Sequence, residues 1–226
     1  KQKICIIGSS LTGLTTAISL SKLNCEIDLI TGNIKQNSKS GKTIAISQNN
    51  YDFLKKLNIF KSIKTELWPC TEMKLYTKIK DQKFLEMFQL NFDNKQEKQI
   101  LYMLKNSKII NYMMKKIKQT KSISVINNEM ITDIVNAGLL KNVKFSNHSS
   151  KYNLIIICTG NNSNLVKNLF HDQFIEYSYK ETSMTVILNH DVIRNNTARQ
   201  IFLDNEILAL LPISNTKTSI VWSVKT

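Results

Sequence analysis

Residues 8–13 (GSSLTG) separate an apolar run, KICII at residues 3–7, from LTTAISLSKL at residues 14–23, whose apolar positions recur at helical spacing. A glycine-rich turn at such a junction lets the backbone approach a phosphate closely, and the helix behind it offers unpaired N–H groups and a partial positive charge. Gly8 and Gly13 are the first and third glycines of the dinucleotide fingerprint G-x-G-x-x-G, and Ser10 takes the place of the middle one. Serine puts a Cβ where a diphosphate comes closest, but it is small and can donate a hydrogen bond, so weakened rather than abolished binding is expected. The acidic residue that usually ends the next strand and binds ribose hydroxyls is replaced by Thr31, with Glu26 and Asp28 earlier in that strand. Gly8, Gly13 and Thr15 also match a P-loop, but Leu14 stands where the phosphate-binding lysine belongs, which argues against nucleotide hydrolysis. The bland alternative is an ordinary strand-to-helix turn in which both glycines serve only the backbone.

Other chemistry-bearing residues are scattered. Cys5, Cys25, Cys70 and Cys158 lie far apart with no CxxC pair, which disfavours metal sites and disulfides. His148, His171 and His190 have no Ser or Asp partner at a triad-like spacing and read as surface residues. Trp68, Trp222, Met113 and Met114 read as core, and Arg199 as one half of a structural ion pair.

The elements that must position the turn follow from periodicity. Strand, glycine turn, helix and the second strand EIDLI (residues 26–30) fall within about thirty residues, the length of a right-handed βαβ unit. TIAIS then leads into a helix over YDFLKKLNIF with Phe53, Leu54 and Leu57 on one face. Residues 73–77 and 84–90 read as strands of a β insertion joined by the turn KIKDQK, and Asn106 or Ser107 can cap a helix over residues 108–118. That helix carries Ile109, Ile110, Met113, Met114 and Ile117 inward. ISVI and a hairpin over residues 131–145 lead to YNLIIICTG (residues 152–160), apolar enough for a strand buried on both faces. From residue 182 the pattern becomes several strands of a second, antiparallel sheet.

The chain has 226 residues, a net charge of +14 and a pI near 9.6. Only Arg194 and Arg199 among its 31 basic residues are arginine. Base reading favours arginine's bidentate fork, so no nucleic-acid partner is expected, and the lysine excess suits anionic lipid. No apolar run approaches the ~20 residues that span a bilayer, and the first residues lack signal-peptide features. A cytoplasmic location, peripheral at the inner face of the membrane, is expected. The first residue is Lys1, and SIVWSVKT closes the sequence on a strand-like segment, so both ends read as cut.

Several segments in order resemble the ubiquinone-biosynthesis FAD-dependent hydroxylases, a branch of the class A flavoprotein aromatic monooxygenases. GSSLTGLTTAISLS resembles the first FAD motif, and KTIAISQNNYDFLKKLNIF the segment where an arginine and an ALS-like run precede a helix. LYMLKNSKIINYMM resembles the helix after the β insertion, LIIICTGNNSNL the aspartate-glycine motif, and NNTARQIFLDNEILALLPISNTKTSIVWSV the substrate-domain strands.

The resemblance implies an α/β fold: a Rossmann-like FAD-binding domain with a β-sheet substrate domain, truncated, because no later glycine-aspartate motif follows residue 161. It implies FAD-domain segments at residues 1–71 and 99–176, a substrate-domain insertion at residues 72–98, and the first strands of the substrate sheet at residues 177–226. The implied activity is hydroxylation of a polyprenylated phenol by FAD, dioxygen and NADPH or NADH, with quinone-biosynthesis partners. Gly8, Ser9, Ser10, Leu11, Thr12 and Gly13 would cradle the FAD diphosphate, and Thr31 occupies the ribose position. Lys42 replaces the arginine on the flavin side, Asn106 matches the family asparagine, and Thr159 and Gly160 stand at the aspartate-glycine motif. No catalytic side chain and no metal ligand is implied. The departures at Ser10, Thr31, Lys42 and Thr159 leave a non-catalytic relative, a partner or scaffold in quinone biosynthesis, as the alternative.

Overall fold

The computed structural model describes residues 1–32, 42–60, 64–79, 83–91, 100–160, 163–170, 173, 175 and 177–226. The chain divides into two compact units, Lys1–Lys39 with Ile110–Glu176 and Ser40–Ile109 with Tyr177–Thr226. His171 lies outside the described residues, as does the middle of the KIKDQK turn.

The first unit is built on β1 (Gln2–Ile7), α1 (Leu11–Leu20) and β2 (Cys25–Thr31). With β8 (Ile123–Asn127) and β12 (Leu154–Ile157) these strands make a parallel sheet in the order β12-β1-β2-β8. β1 is internal to it, and Ile4 through Ile7 are all buried. Cys5 and Ile7 point into one core cluster with Val143, Phe145 and Tyr152. Those three come from a second, antiparallel sheet of β9 (Ile131–Ala137), β10 (Leu140–Phe145) and β11 (Ser149–Tyr152). In α1 the buried residues are Gly13, Leu14, Ala17 and Ile18. From Ile110 onward, the helix spanning Asn106–Lys118 also belongs to this unit. Its Met113 and Ile117 are fully buried, and the Thr15 hydroxyl reaches the Met113 sulfur at 3.9 Å. A short helix follows at Asn164–Phe170.

In the second unit β3 (Thr43–Ser47), β4 (Trp68–Cys70) and β7 (Leu101–Lys105) form a small antiparallel sheet. A larger sheet has the order β13-β16-β15-β14-β5-β6, with β5 at Glu72–Lys78, β6 at Phe84–Asn91, β13 at Glu181–Asn189, β14 at Thr197–Phe202, β15 at Glu206–Ser214 and β16 at Lys217–Lys225. α2 (Gln48–Lys56) starts at Ser47, whose hydroxyl accepts from the Asn50 N–H, an ordinary N-cap. Tyr51 stacks on both Phe60 and Tyr102, with ring centroids 5.0 and 4.4 Å away. Asn195 ties β4 to the larger sheet: its carbonyl accepts from the Trp68 indole at 2.7 Å, and its amide donates to the Ser214 and Lys217 carbonyls.

Five expectations need correction. The turn after β1 spans only Gly8–Ser10, and Gly13 already lies inside α1, because the helix begins as soon as Ser10 leaves its extended conformation. β12 is an edge strand among the described residues, and Leu154 is 48% exposed, so it is not buried on both faces. In α2, Phe53 is 47% exposed while Leu54 and Leu57 are buried. These two lie about 60° apart at 3.6 residues per turn, which places Phe53 at the margin of the buried stripe. Trp222 is 38% exposed, its indole donating to the Glu206 carboxylate, and Arg199 is exposed with no ion pair among the described residues. The strands from Glu181 onward pair antiparallel with one another, as expected, and β14 also pairs in parallel with β5 of the insertion.

Candidate functional site at the first crossover

β1 ends at Ile7, and the backbone at Gly8 turns with φ +116°, a region that L side chains rarely adopt. Its N–H donates to the Ile30 carbonyl at 2.9 Å, which fixes the turn to the end of β2. A Cβ on Gly8 would lie 2.5 Å from the Cys158 carbonyl oxygen, and one on Gly13 would lie 2.0 Å from the Gly8 carbonyl oxygen. Both glycines are therefore demanded by close contact among β1, α1 and the exit of β12.

Ser10 holds the N-cap position of α1 but makes no cap bond; its hydroxyl donates to the Cys158 carbonyl at 3.1 Å. The first helical bond is Leu14 N–H to the Ser10 carbonyl at 3.0 Å. The N–H groups of Leu11, Thr12 and Gly13 thus receive no acceptor from the capping side chain, and no acidic residue occupies the first turn. Helix N-termini left this way carry roughly half a positive charge and suit an anion. Ser9 is buried beside them.

A cavity of about 170 Å³ opens beside this turn, lined by Gly8, Thr31, Gly32, Glu129, Thr159 and Leu165 among others. Thr31 is fully buried, and its hydroxyl donates to the Asn127 side-chain carbonyl at 2.8 Å. Asp28, the nearest acid in β2, accepts from the Tyr152 hydroxyl at 2.9 Å and pairs with Lys3 at 2.9 Å, so it is structural. Thr159 and Gly160 are exposed, and Gly160 has φ +80°. Lys42 and Asn106 belong to the second unit, where the Asn106 N–H donates to the Lys42 carbonyl at 2.9 Å. Asn106 Oδ1 is buried with no hydrogen-bond partner among the described residues. Within the first unit the turn, Thr31 and Thr159 come together; within the second, Lys42 and Asn106 do.

Burial shifts both thiols around the turn toward the neutral form. Burial pushes Cys5 up to about 12, with the Asp28 charge adding to it. Burial also raises Cys158, against a hydrogen bond with Thr16 that acts the other way. His148 stacks on Phe145, and the two ring nitrogens of His190 meet the Asp191 carbonyl and the Thr218 hydroxyl. Among the described residues no group of His, Cys, Asp and Glu could hold a metal ion. Glu129 is the ionisable cavity residue that sequence reasoning missed; the readable signal was an acid just beyond the apolar strand ISVI, after two asparagines able to turn the chain.

No protein-family model matches the chain. Over 194 residues it is 23% identical to ubiquinone biosynthesis monooxygenase COQ6, mitochondrial, of Caenorhabditis elegans, a match that takes in 81% of this chain and 41% of that protein. The chain thus spans well under half the length of this curated relative. p-Nitrophenol 4-monooxygenase PnpA of Pseudomonas putida superposes with a TM-score of 0.79 at 12% identity, over 100% of this chain and 59% of that one. Klebsiella pneumoniae HpxO, solved with FAD and uric acid, gives 0.76 at 15% identity over 99% and 56%. PqsL of Pseudomonas aeruginosa gives 0.82 at 11% identity over 99% and 60%. The fold is that of the FAD-dependent monooxygenases. In this flavin-monooxygenase fold the parallel sheet with its glycine turn and the larger mixed sheet are the two parts that the sequence motifs anticipated, and the relative from the nematode matches across most of the same residues.

Proposed function

We propose that the first unit binds FAD and that the protein is an FAD-dependent monooxygenase that hydroxylates the ring of a polyprenylated phenol in ubiquinone biosynthesis. The observation that carries the reading is the glycine cradle: two positions where backbone contact excludes any Cβ, next to an α1 N-terminus that its N-cap residue, Ser10, leaves without a side-chain bond. The residues present fit a dinucleotide. The Leu11, Thr12 and Gly13 amides face the charge of a diphosphate, Ser10 keeps its hydroxyl on Cys158, and Thr159 lines the cavity beside them. FAD, reduced by NADPH or NADH, supplies the activation of dioxygen; the protein supplies position and exclusion of water.

The phenol is assigned to the six-stranded sheet of the second unit, and quinone-biosynthesis partners to the assembled protein. No helix among the described residues is long and apolar enough to cross a membrane. Peripheral contact through the lysine surplus is the proposed route to a prenylated substrate, with the chain at the inner face of the membrane. The relative's name places that protein in the mitochondrion.

One observation favours the second reading, a non-catalytic partner or scaffold: the Thr31 hydroxyl, at the ribose position, is already spent on Asn127. The visible spectrum of the purified chain after reconstitution with FAD separates the two. Protein-bound flavin bands, with hydroxylated prenylphenol formed on adding NADPH or NADH, are expected for the enzyme; absence of bound flavin favours the scaffold.

A further inference from the structure

We propose that Glu129 binds the adenosine ribose hydroxyls of the dinucleotide, supplying from the exit of β8 the carboxylate that the end of β2 lacks; the inference rests on the FAD-binding reading above. A carboxylate accepts hydrogen bonds from both hydroxyls of a vicinal diol, which is why dinucleotide sites place an acid there. The end of β2 cannot supply one. Thr31 is fully buried with its hydroxyl on Asn127. Asp28 is held by Tyr152 and Lys3, and Glu26 is exposed at the opposite end of the strand, five residues back at ~3.3 Å each.

β8 runs parallel to β2 with Thr31 opposite Asn127. The Asn128 N–H then donates to the Thr31 carbonyl at 2.9 Å, and Asn128 takes the left-handed conformation, φ +57°. Asparagine tolerates that region better than most side chains. The chain leaving β8 is thereby pinned to the end of β2, and the next residue, Glu129, lines the cavity together with Gly8, Thr31 and Gly32. Glu129 is half-buried as a residue, and its carboxylate makes no hydrogen bond and no ion pair among the described residues. The same cavity therefore has the phosphate-approaching turn on one wall and an uncommitted acceptor on another.

The test compares binding of ADP, 2′-deoxy-ADP and FAD by calorimetry to the wild-type chain and to Glu129→Ala and Glu129→Gln, with thermal melts to confirm that each variant folds. Wild type is expected to prefer ADP over 2′-deoxy-ADP. Glu129→Ala is expected to lose about tenfold or more in ADP and FAD affinity, the scale of hydrogen bonds to a charged group, and to erase the preference; Glu129→Gln is expected to fall between. If wild type binds FAD and ADP but folded Glu129→Ala binds them equally well, the assignment of Glu129 is overturned while the FAD reading stands. If wild type binds neither, the FAD reading fails and takes this inference with it.

Discussion

A methyl group at Gly13 would sit 2.0 Å from the Gly8 carbonyl oxygen, whereas one at Gly160, with φ +80°, would meet nothing within 4 Å. Gly13→Ala must part α1 from the β1 turn, so its cost is expected to exceed the ~1–3 kcal/mol typical of overpacking. Gly160→Ala is expected to cost only the backbone term, ~1–2 kcal/mol. Urea midpoints of the two variants check this, and equal losses would mean that the helix does not press on the turn. The two glycines of the cradle were legible in the sequence because close backbone approach leaves its mark on residue type. The fates of the acids were not. Asp28 is neutralised as a ribose ligand by Tyr152, which is 124 residues away, and nothing local announces that pairing. Tyr152→Phe would leave the buried side of Asp28 one donor short, an expected loss of ~1–3 kcal/mol in the same midpoint measurement.

At the scale of elements, β1, α1 and β2 were readable because a short apolar run, a glycine turn and helical periodicity occur together in one local stretch. β12 was misread because a continuous apolar run reports hydrophobicity, and not whether a further strand lies beyond it. Strand order in the sheet is a long-range property; Ile4 opposite Leu154 follows from the whole topology. The helix spanning Asn106–Lys118 was legible for the opposite reason: Ile109, Ile110, Met113, Met114 and Ile117 repeat at helical spacing, and all are buried. Met113 is fully enclosed, so Met113→Ala is expected to cost ~2–5 kcal/mol in the calorimetric unfolding of the chain. A loss below ~1 kcal/mol would show that its side chain is not packed against α1. The site itself was half legible at this scale: the turn was, but the loop after β8 was not, because it reaches the cavity through strand pairing and an asparagine in the left-handed region.

For the molecule as a whole, both units bury groups that ionise by losing a proton. Cys5 is pushed up to about 12 from an ordinary 9.0. Burial likewise raises Cys158 and Tyr152 in the first unit and Cys70 and Tyr102 in the second. Above pH 9 the unfolded chain has given up protons that the folded chain keeps, so the stability contribution of the neutral Cys5 thiol is complete below pH 9 and drains away as pH climbs toward 12. Thermal midpoints are expected to decline over that interval, and to decline less in Cys5→Ala, which carries the same lysines; identical pH profiles for the two proteins would contradict the burial of that thiol. The central claim is that the amides at the start of α1 hold the diphosphate of FAD, and it is tested most directly by titrating FAD into uniformly ¹⁵N-labelled protein and following backbone amide shifts. Saturable shifts, largest at Leu11, Thr12 and Gly13, are expected. Unmoved amides at these three residues, with FAD bound elsewhere or not at all, would contradict it.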